Sequence, residues 1–188
     1  PTTLVNSNVA LSSINSKKVN GVAIEPTYTY QFASTGIHKV EYVFTSSTII
    51  PANMLKGITE VIDRITLSGT ITTLGSGALQ NCSGLKAIYI DKSITSLGSS
   101  PFSGCSNLKT VTIDSNSISS NLNYAGNTFG QQVTKYIFGN NVKTLKAFSC
   151  AQCSNVTAID LSENITVIPN AAFFGCSKLT SIPDISNW

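Results

Sequence analysis

Cys82-Ser83-Gly84-Leu85-Lys86-Ala87-Ile88-Tyr89-Ile90 returns 23 residues later as Cys105-Ser106-Asn107-Leu108-Lys109-Thr110-Val111-Thr112-Ile113. Its opening tetrad returns twice more, as Cys153-Ser154-Asn155-Val156 and Cys176-Ser177-Lys178-Leu179. A fixed period of this size marks a chain built from stacked copies of one unit. With the last residue of each tetrad as an anchor, Val133 fills the gap between the second and third copies, and Ile62 stands one period before the first. The anchors Ile62, Leu85, Leu108, Val133, Val156 and Leu179 then follow at steps of 23, 23, 25, 23 and 23 residues.

Apolar side chains stand three and five residues past each of the first five anchors: Ile65/Leu67, Ile88/Ile90, Val111/Ile113, Tyr136/Phe138 and Ile159/Leu161. This alternation predicts a short strand with one buried face in every unit. A second apolar pair follows at Ile71/Leu74, Ile94/Leu97, Val142/Leu145 and Ile165/Ile168. A compact segment such as Pro101-Phe102-Ser103-Gly104-Cys105 closes the unit and reads as one helical turn. A unit this small cannot bury its apolar side alone, so the units must stack into a solenoid with a shared core.

Ile37 to Val61 reads as a worn first copy, because Ile50-Pro51-Ala52-Asn53-Met54-Leu55-Lys56-Gly57-Ile58 echoes Ile168-Pro169-Asn170-Ala171-Ala172-Phe173-Phe174-Gly175-Cys176. Upstream, Val22/Ile24, Tyr28/Tyr30/Phe32 and a Ser34-Thr35-Gly36 turn into Ile37–Phe44 predict a β-hairpin with a third strand. The expected organisation is a hairpin cap over residues 1–44 and repeats over 37–188, about five or six coils with the first degenerate. A cap is expected because an open solenoid end exposes core and strand edges. The third unit departs from the pattern: Gly130 replaces its Cys, and two residues are added within the polar stretch Ser115 to Gln132. Cys150 stands where Phe is expected, and the last unit breaks off at Ile182 to Trp188 without an obvious cap.

In a chain of 188 residues, 41% hydrophobic content and a mean hydropathy of +0.16 allow one well-packed core and exclude wholesale disorder. The net charge is +3, but only 11% of residues are charged and Arg64 is the sole arginine. A nucleic-acid binder concentrates basic residues, whereas the eleven lysines here are scattered, so nucleic acid is set aside. Ser and Thr make up a quarter of the chain, a surface of hydroxyls that suits an exported β-rich protein. No apolar run approaches the roughly 20 residues of a membrane-spanning helix.

Ala172-Phe173-Phe174-Gly175-Cys176-Ser177-Lys178-Leu179, with the Ile-x-x-Ile pair before it, resembles the repeat of the BspA-like leucine-rich repeat family. The likeness runs over about residues 37 to 182. Tyr28 to Phe32 and Thr35 to Tyr42 are similar to the hairpin that precedes such repeats in bacterial surface proteins. The resemblance implies a right-handed leucine-rich-repeat solenoid of short strands and single helical turns, about 23 residues per repeat, behind a small β-hairpin cap. It also implies an extracellular or cell-surface protein that binds a protein ligand, since some relatives bind host matrix proteins such as fibronectin and fibrinogen. A passive spacer is the alternative, and an unrecognised hydrolase the third reading.

The residues offer little catalytic chemistry. Cys150-Ala151-Gln152-Cys153 is a CxxC, but a zinc site needs about four ligands, and there is no second CxxC or nearby His. The repeat itself accounts for Cys82, Cys105, Cys153 and Cys176, which are expected as reduced, buried thiols. His38 is the only imidazole, and it lies in a cap strand with no partner for general-base catalysis. Asp91 and Asp114 hold equivalent places six residues past their anchors, and are expected side by side as solvated neighbours. No phosphate-binding glycine loop occurs. The glycosylation triplets at Asn81, Asn155 and Asn164 are expected by chance in a chain this rich in Ser, Thr and Asn. No cofactor or metal is therefore expected.

Two rows should face outward from the strands: Thr66, Tyr89, Thr112, Ile137 and Asp160, and beside them Arg64, Ala87, Thr110, Lys135 and Ala158. Tyr89 and Ile137 are unusual there, since an outward strand position rarely needs a large apolar group. Aromatic anchors in a polar surround favour binding, so Tyr89, Ile137, Thr112, Thr66, Asp160 and Lys135 form the candidate partner-binding face. Ordinary strand propensity explains Tyr89 and Ile137 equally well. Asn116 to Gln132 is expected to project as a loop, either a site of added specificity or simply mobile.

Overall fold

The computed structural model describes residues 2–3, 16–25, 29–30, 40–43, 48–59, 62–67 and 70–180. Near the N-terminus, β1 (Thr2–Thr3) pairs antiparallel with β4 (Thr29–Tyr30). β2 (Ser16–Val19) pairs antiparallel with both β3 (Val22–Ile24) and β5 (Val40–Val43). The turn expected at Ser34-Thr35-Gly36 lies outside the described residues, whereas β2 and β3 form a hairpin, as expected of the N-terminal region. Asn20 and Gly21 make its two-residue turn with φ of 51° and 83°. The turn that best fits the twist of a hairpin needs positive φ at both positions, which Asn-Gly tolerates.

From Ile49 onward the chain winds in coils. Strand β6 (Ile49–Ile50) belongs to the degenerate first coil, followed by β7 (Ile62–Leu67), β8 (Thr73–Leu74), β9 (Leu85–Ile90), β10 (Ser96–Leu97) and β11 (Thr110–Ile113). Helices α1 (Asn116–Ser119) and α2 (Ala125–Phe129) precede β12 (Lys135–Phe138) and β13 (Ala158–Asp160). The strands form a five-stranded parallel sheet in the order β13-β12-β11-β9-β7 and a three-stranded parallel sheet in the order β10-β8-β6. Neighbours in the larger sheet align repeat on repeat: Ile62 with Leu85, Ile65 with Ile88, Ile88 with Val111, Val111 with Tyr136, and Tyr136 with Ile159.

That register stacks like residues into interior ladders. Leu85, Leu108, Val133 and Val156 are at most 1% exposed, and Ile88, Ile90, Val111, Ile113, Tyr136, Phe138 and Ile159 are buried beside them. Burying one such side chain stabilises the fold by roughly 1.5–3 kcal/mol, so the ladders supply most of the driving force. Hydroxyls extend the backbone ladder at the corners. Thr72 and Thr95 donate through Oγ1 to the carbonyls of Thr48 and Thr72, and Thr134 and Thr157 do the same to Lys109 and Thr134.

In the coil of Ala125–Phe129 the return segment is the short helix α2, and in the regular coils it is a run of tight turns. It keeps i→i+3 bonds at alternate positions, as in Ala78 to Gly75, Gln80 to Gly77 and Cys82 to Leu79. The intervening amides point along the solenoid instead: Gly77, Leu79 and Asn81 donate to the carbonyls of Ser99, Pro101 and Ser103 in the next coil. Positive φ at Gly77 and Asn81 turns these amides outward from the coil, which a continuous helix could not do. Gly98 has a different reason to be glycine, because a Cβ there would overlap the backbone of Gly75 and Ser76 in the preceding coil.

The third coil carries the added residues, and they do not project as a loop. Ser115 caps α1 by accepting from the Ile118 amide. Ile118, Leu122, Ala125 and Phe129 are buried, and the Phe129 ring lies 5.0 Å from Phe102 and 6.1 Å from Tyr136. Side chains of α1 take over the coil-to-coil bonds that a strand would make. Ser115 Oγ donates to the Ile94 carbonyl, Ser119 Oγ to the Thr144 carbonyl, and Asn116 Oδ1 accepts from the amides of Lys143 and Thr144.

Candidate functional site

The sheet brings the sequence-derived candidates together in register. Thr66 aligns with Tyr89, Tyr89 with Thr112, Thr112 with Ile137, and Ile137 with Asp160, forming one continuous row across five coils. Arg64, Ala87, Thr110, Lys135 and Ala158 form the second row. Thr66 and Asp160 are exposed, whereas Tyr89, Thr112, Lys135 and Ile137 are half-buried. Lys135 Nζ lies 2.8 Å from Asp160 Oδ2, tying the two rows at the last coils. Both side chains remain well exposed, so this pair contributes at most about 1 kcal/mol and leaves its charges available to a partner.

Tyr89 is anchored by a feature the sequence reading missed. Its hydroxyl donates to Asp114 Oδ2 at 2.9 Å. Asp114 is only 8% exposed, so it is not the solvated neighbour of Asp91 that its place in the repeat suggests. Its Oδ1 accepts the Asn141 amide at 3.0 Å, and its Oδ2 also accepts Asn141 Nδ2 at 2.8 Å. Burial by itself would raise the Asp114 pKa, but the two bonds from Asn141, the bond from Tyr89 and the charge of Lys92 outweigh it and hold the carboxyl below its ordinary value. Burial, together with the bond and the charge of Asp114, pushes the Tyr89 phenol up to about 12. Asp91 is half-buried and holds its own turn through the Ser93 amide. The pair therefore splits into one caged carboxylate and one turn cap, an arrangement unlike two carboxylates flanking a pocket.

None of the five cysteines is in a disulfide; Cys82, Cys105, Cys150 and Cys153 are buried and Cys176 is half-buried. Thiols donate between coils, from Cys82 to the Leu55 carbonyl, Cys105 to Leu79 and Cys176 to Cys150. Burial raises the pKa of Cys150 well above its ordinary value and that of Cys153 to about 11, with the neighbouring thiols adding to both. Thiols held protonated in this way are poor nucleophiles and poor metal ligands. Among the described residues no three His, Cys, Asp or Glu side chains gather to hold a metal ion. His38 lies outside the described residues.

Other large apolar side chains are open to solvent away from this face, Val167, Val22 and Phe174 most of all. Tyr124 and Phe148, each 38% exposed, stack with ring centroids 6.1 Å apart beside α2. A groove of about 460 Å³ opens between β10 and the α1–α2 segment. The repeat alignment could have pointed to Tyr124 and Phe148, which share a column with Ser100 and Ala171 in the neighbouring coils, but neither belongs to the apolar ladders.

Parallel strands stacked at a 23-residue period, apolar ladders inside and a continuous outward sheet face define a leucine-rich repeat solenoid. A family profile described as a BspA type leucine rich repeat region matches six copies over residues 25–129 and 118–187. The chain belongs to that family. It is similar to a leucine-rich repeat protein from Eubacterium ventriosum solved by crystallography at 2.50 Å, at 20% sequence identity and a TM-score of 0.45. The likeness covers 73% of this chain and 45% of that one, so this chain spans less than half of that protein's crystallised length. No curated protein matches. Among the described residues no helix is long and apolar enough to cross a membrane.

Proposed function

We propose that the chain is a non-enzymatic binding module of a bacterial surface or secreted repeat protein, engaging a protein ligand through the outward face of the five-stranded sheet. The observation that carries this reading is the in-register row Thr66, Tyr89, Thr112, Ile137 and Asp160. It sets an aromatic and an aliphatic side chain on either side of a small central residue, in a polar surround with a charged pair at one end. Interfaces concentrate their energy in such central anchors, and solenoids use extended faces for partners. The bond to Asp114 favours it further, because a fixed tyrosine loses less side-chain freedom on binding. The family's association with bacterial surfaces supports the location, and binding of a host matrix protein is the specific form of the reading.

The test is binding of the chain to immobilised extracellular-matrix proteins beside a Thr112→Lys/Ile137→Lys variant, with thermal melting as the check on folding. Saturable binding that the folded variant loses is expected. Equal binding by the variant would move the site off this face. No saturable binding to any matrix protein would overturn the matrix-ligand reading and favour a passive spacer.

A further inference from the structure

The groove beside β10 lies where the regular coil-to-coil pairing of the second sheet stops. β10 is the last strand of β10-β8-β6, and the third coil supplies α1 where the next strand would stand. The groove volume of about 460 Å³ falls within the roughly 300–1,000 Å³ typical of ligand clefts. Its wall is made mainly of hydroxyls and carboxamides, Ser100, Asn121, Asn127 and Thr128 among them, beside an apolar strip of Leu97 and Leu122. None of its lining residues is ionisable.

Next to it stands the aromatic pair. Asn53, Gly77, Ser100, Tyr124, Phe148 and Ala171 occupy one column of the return segments, all at positive φ between 49° and 61°. That region suits glycine and asparagine and is costly for a bulky side chain. Four of these positions meet the demand with small residues or Asn, whereas the fourth and fifth carry aromatic rings and leave both substantially exposed. Burial in the core does not compensate for the backbone cost at these two positions. Tyr124 is flanked by the groove residues Asn123 and Asn127, and its carbonyl accepts the Asn127 amide at 2.8 Å.

We propose that this groove, with the Tyr124–Phe148 platform at its border, binds a neutral oligosaccharide. A sugar ring presents an apolar C–H face to an aromatic ring and a rim of hydroxyls that both donate and accept. Hydroxyl and carboxamide side chains answer both demands, whereas an anionic glycan or a nucleic-acid strand would need cations that the groove lacks. The site is separate from the sheet face proposed above.

The test titrates neutral gluco-, manno- and N-acetylglucosamine oligosaccharides of four to six units into the protein by calorimetry and ligand-observed NMR, with a heparin fragment as the charged comparison. At least one neutral series should bind with little dependence on salt. Tyr124→Asn/Phe148→Asn should weaken it tenfold or more while melting at or above the wild-type temperature, because Asn already serves this column at Asn53. Asn127→Ala should weaken it on the groove side, and Thr112→Lys/Ile137→Lys should leave it unchanged, whatever happens to the protein ligand. The proposal is overturned if no neutral oligosaccharide binds at millimolar concentration, if only the heparin fragment binds, or if the folded double-Asn variant binds as the wild type does.

Discussion

Asp114→Asn probes the caged carboxylate with the least change in shape. Asp114 accepts three hydrogen bonds, from the Asn141 amide on Oδ1 and from Asn141 Nδ2 and the Tyr89 hydroxyl on Oδ2. An amide at this position has one acceptor oxygen. Turned toward the Asn141 amide it sets its NH2 against Asn141 Nδ2, and turned the other way it sets that NH2 against the Asn141 backbone N–H. At least one bond is lost and the survivors lose their charge. Bonds to a charged group are worth roughly 1.5–3 kcal/mol against about 1 kcal/mol for neutral ones, so the expected loss is about 2–4 kcal/mol at neutral pH. For a chain of this size that corresponds to roughly 5–15 °C in melting temperature. The pH dependence follows from the depressed pKa of the folded carboxyl. Its contribution is present above the unfolded value of about 3.9 and is lost as pH falls through the lower folded value. Urea unfolding of both proteins at pH 7, 5 and 2.5 should therefore show a gap that is full at the first two and shrinks sharply at the last. A gap below about 1 kcal/mol at pH 7, or one undiminished at pH 2.5, would refute the cage.

Leu108→Ala, at a fully buried anchor, should cost about 2–5 kcal/mol, while Thr112→Ala on the outward row should cost less than about 1 kcal/mol. Equal denaturation midpoints would show the register to be wrong. Gly98→Ala should destabilise by roughly 1–3 kcal/mol in the same assay although it adds only a methyl group, because that group would overlap the backbone of the preceding coil. A thiol-reactive dye should label Cys176 before the other four thiols in the native state, and all five together on unfolding. Early labelling of Cys105 would contradict the buried ladder.

The ladders could be read from the sequence because stacked units bury the same position in every copy, and burial leaves a compositional trace at Leu85, Leu108, Val133 and Val156. Once those anchors are aligned, the outward row from Thr66 to Asp160 follows from strand alternation alone. What stayed hidden depends on hydrogen bonds between positions the repeat does not make equivalent. Asp114 looks like Asp91 in sequence, and the bonds from Asn141 in the next coil and from the Tyr89 hydroxyl separate their environments. The added residues of the third coil read as a polar loop because Ser115, Asn116 and Ser119 use their polar groups to replace strand bonds, which hydropathy cannot detect. Asn20-Gly21, in contrast, is a turn signal readable from residue type alone, and it fixes the β2–β3 hairpin. The positive φ shared by Tyr124 and Phe148 has no counterpart in residue type and emerges only from the column of coils.

The return segments give the solenoid a direction that its sheets do not. The backbone bonds between successive return segments run from an amide in the earlier coil to a carbonyl in the later one, as in Asn53 to Ser76, Gly77 to Ser99, Ala125 to Ser149 and Phe148 to Asn170. Ala52, Met54 and Lys56 hold, in the first coil, the places of the accepting carbonyls, and Ala171, Phe173 and Gly175 hold, in the last described coil, the places of the donating amides. The two end faces are thus chemically complementary and not alike. A two-fold pairing of like ends would oppose donor to donor or acceptor to acceptor, whereas head-to-tail addition would continue the column. Growth by repeat duplication and polar stacking of separate chains would obey the same rule, with the amide end of one unit always meeting the carbonyl end of the next.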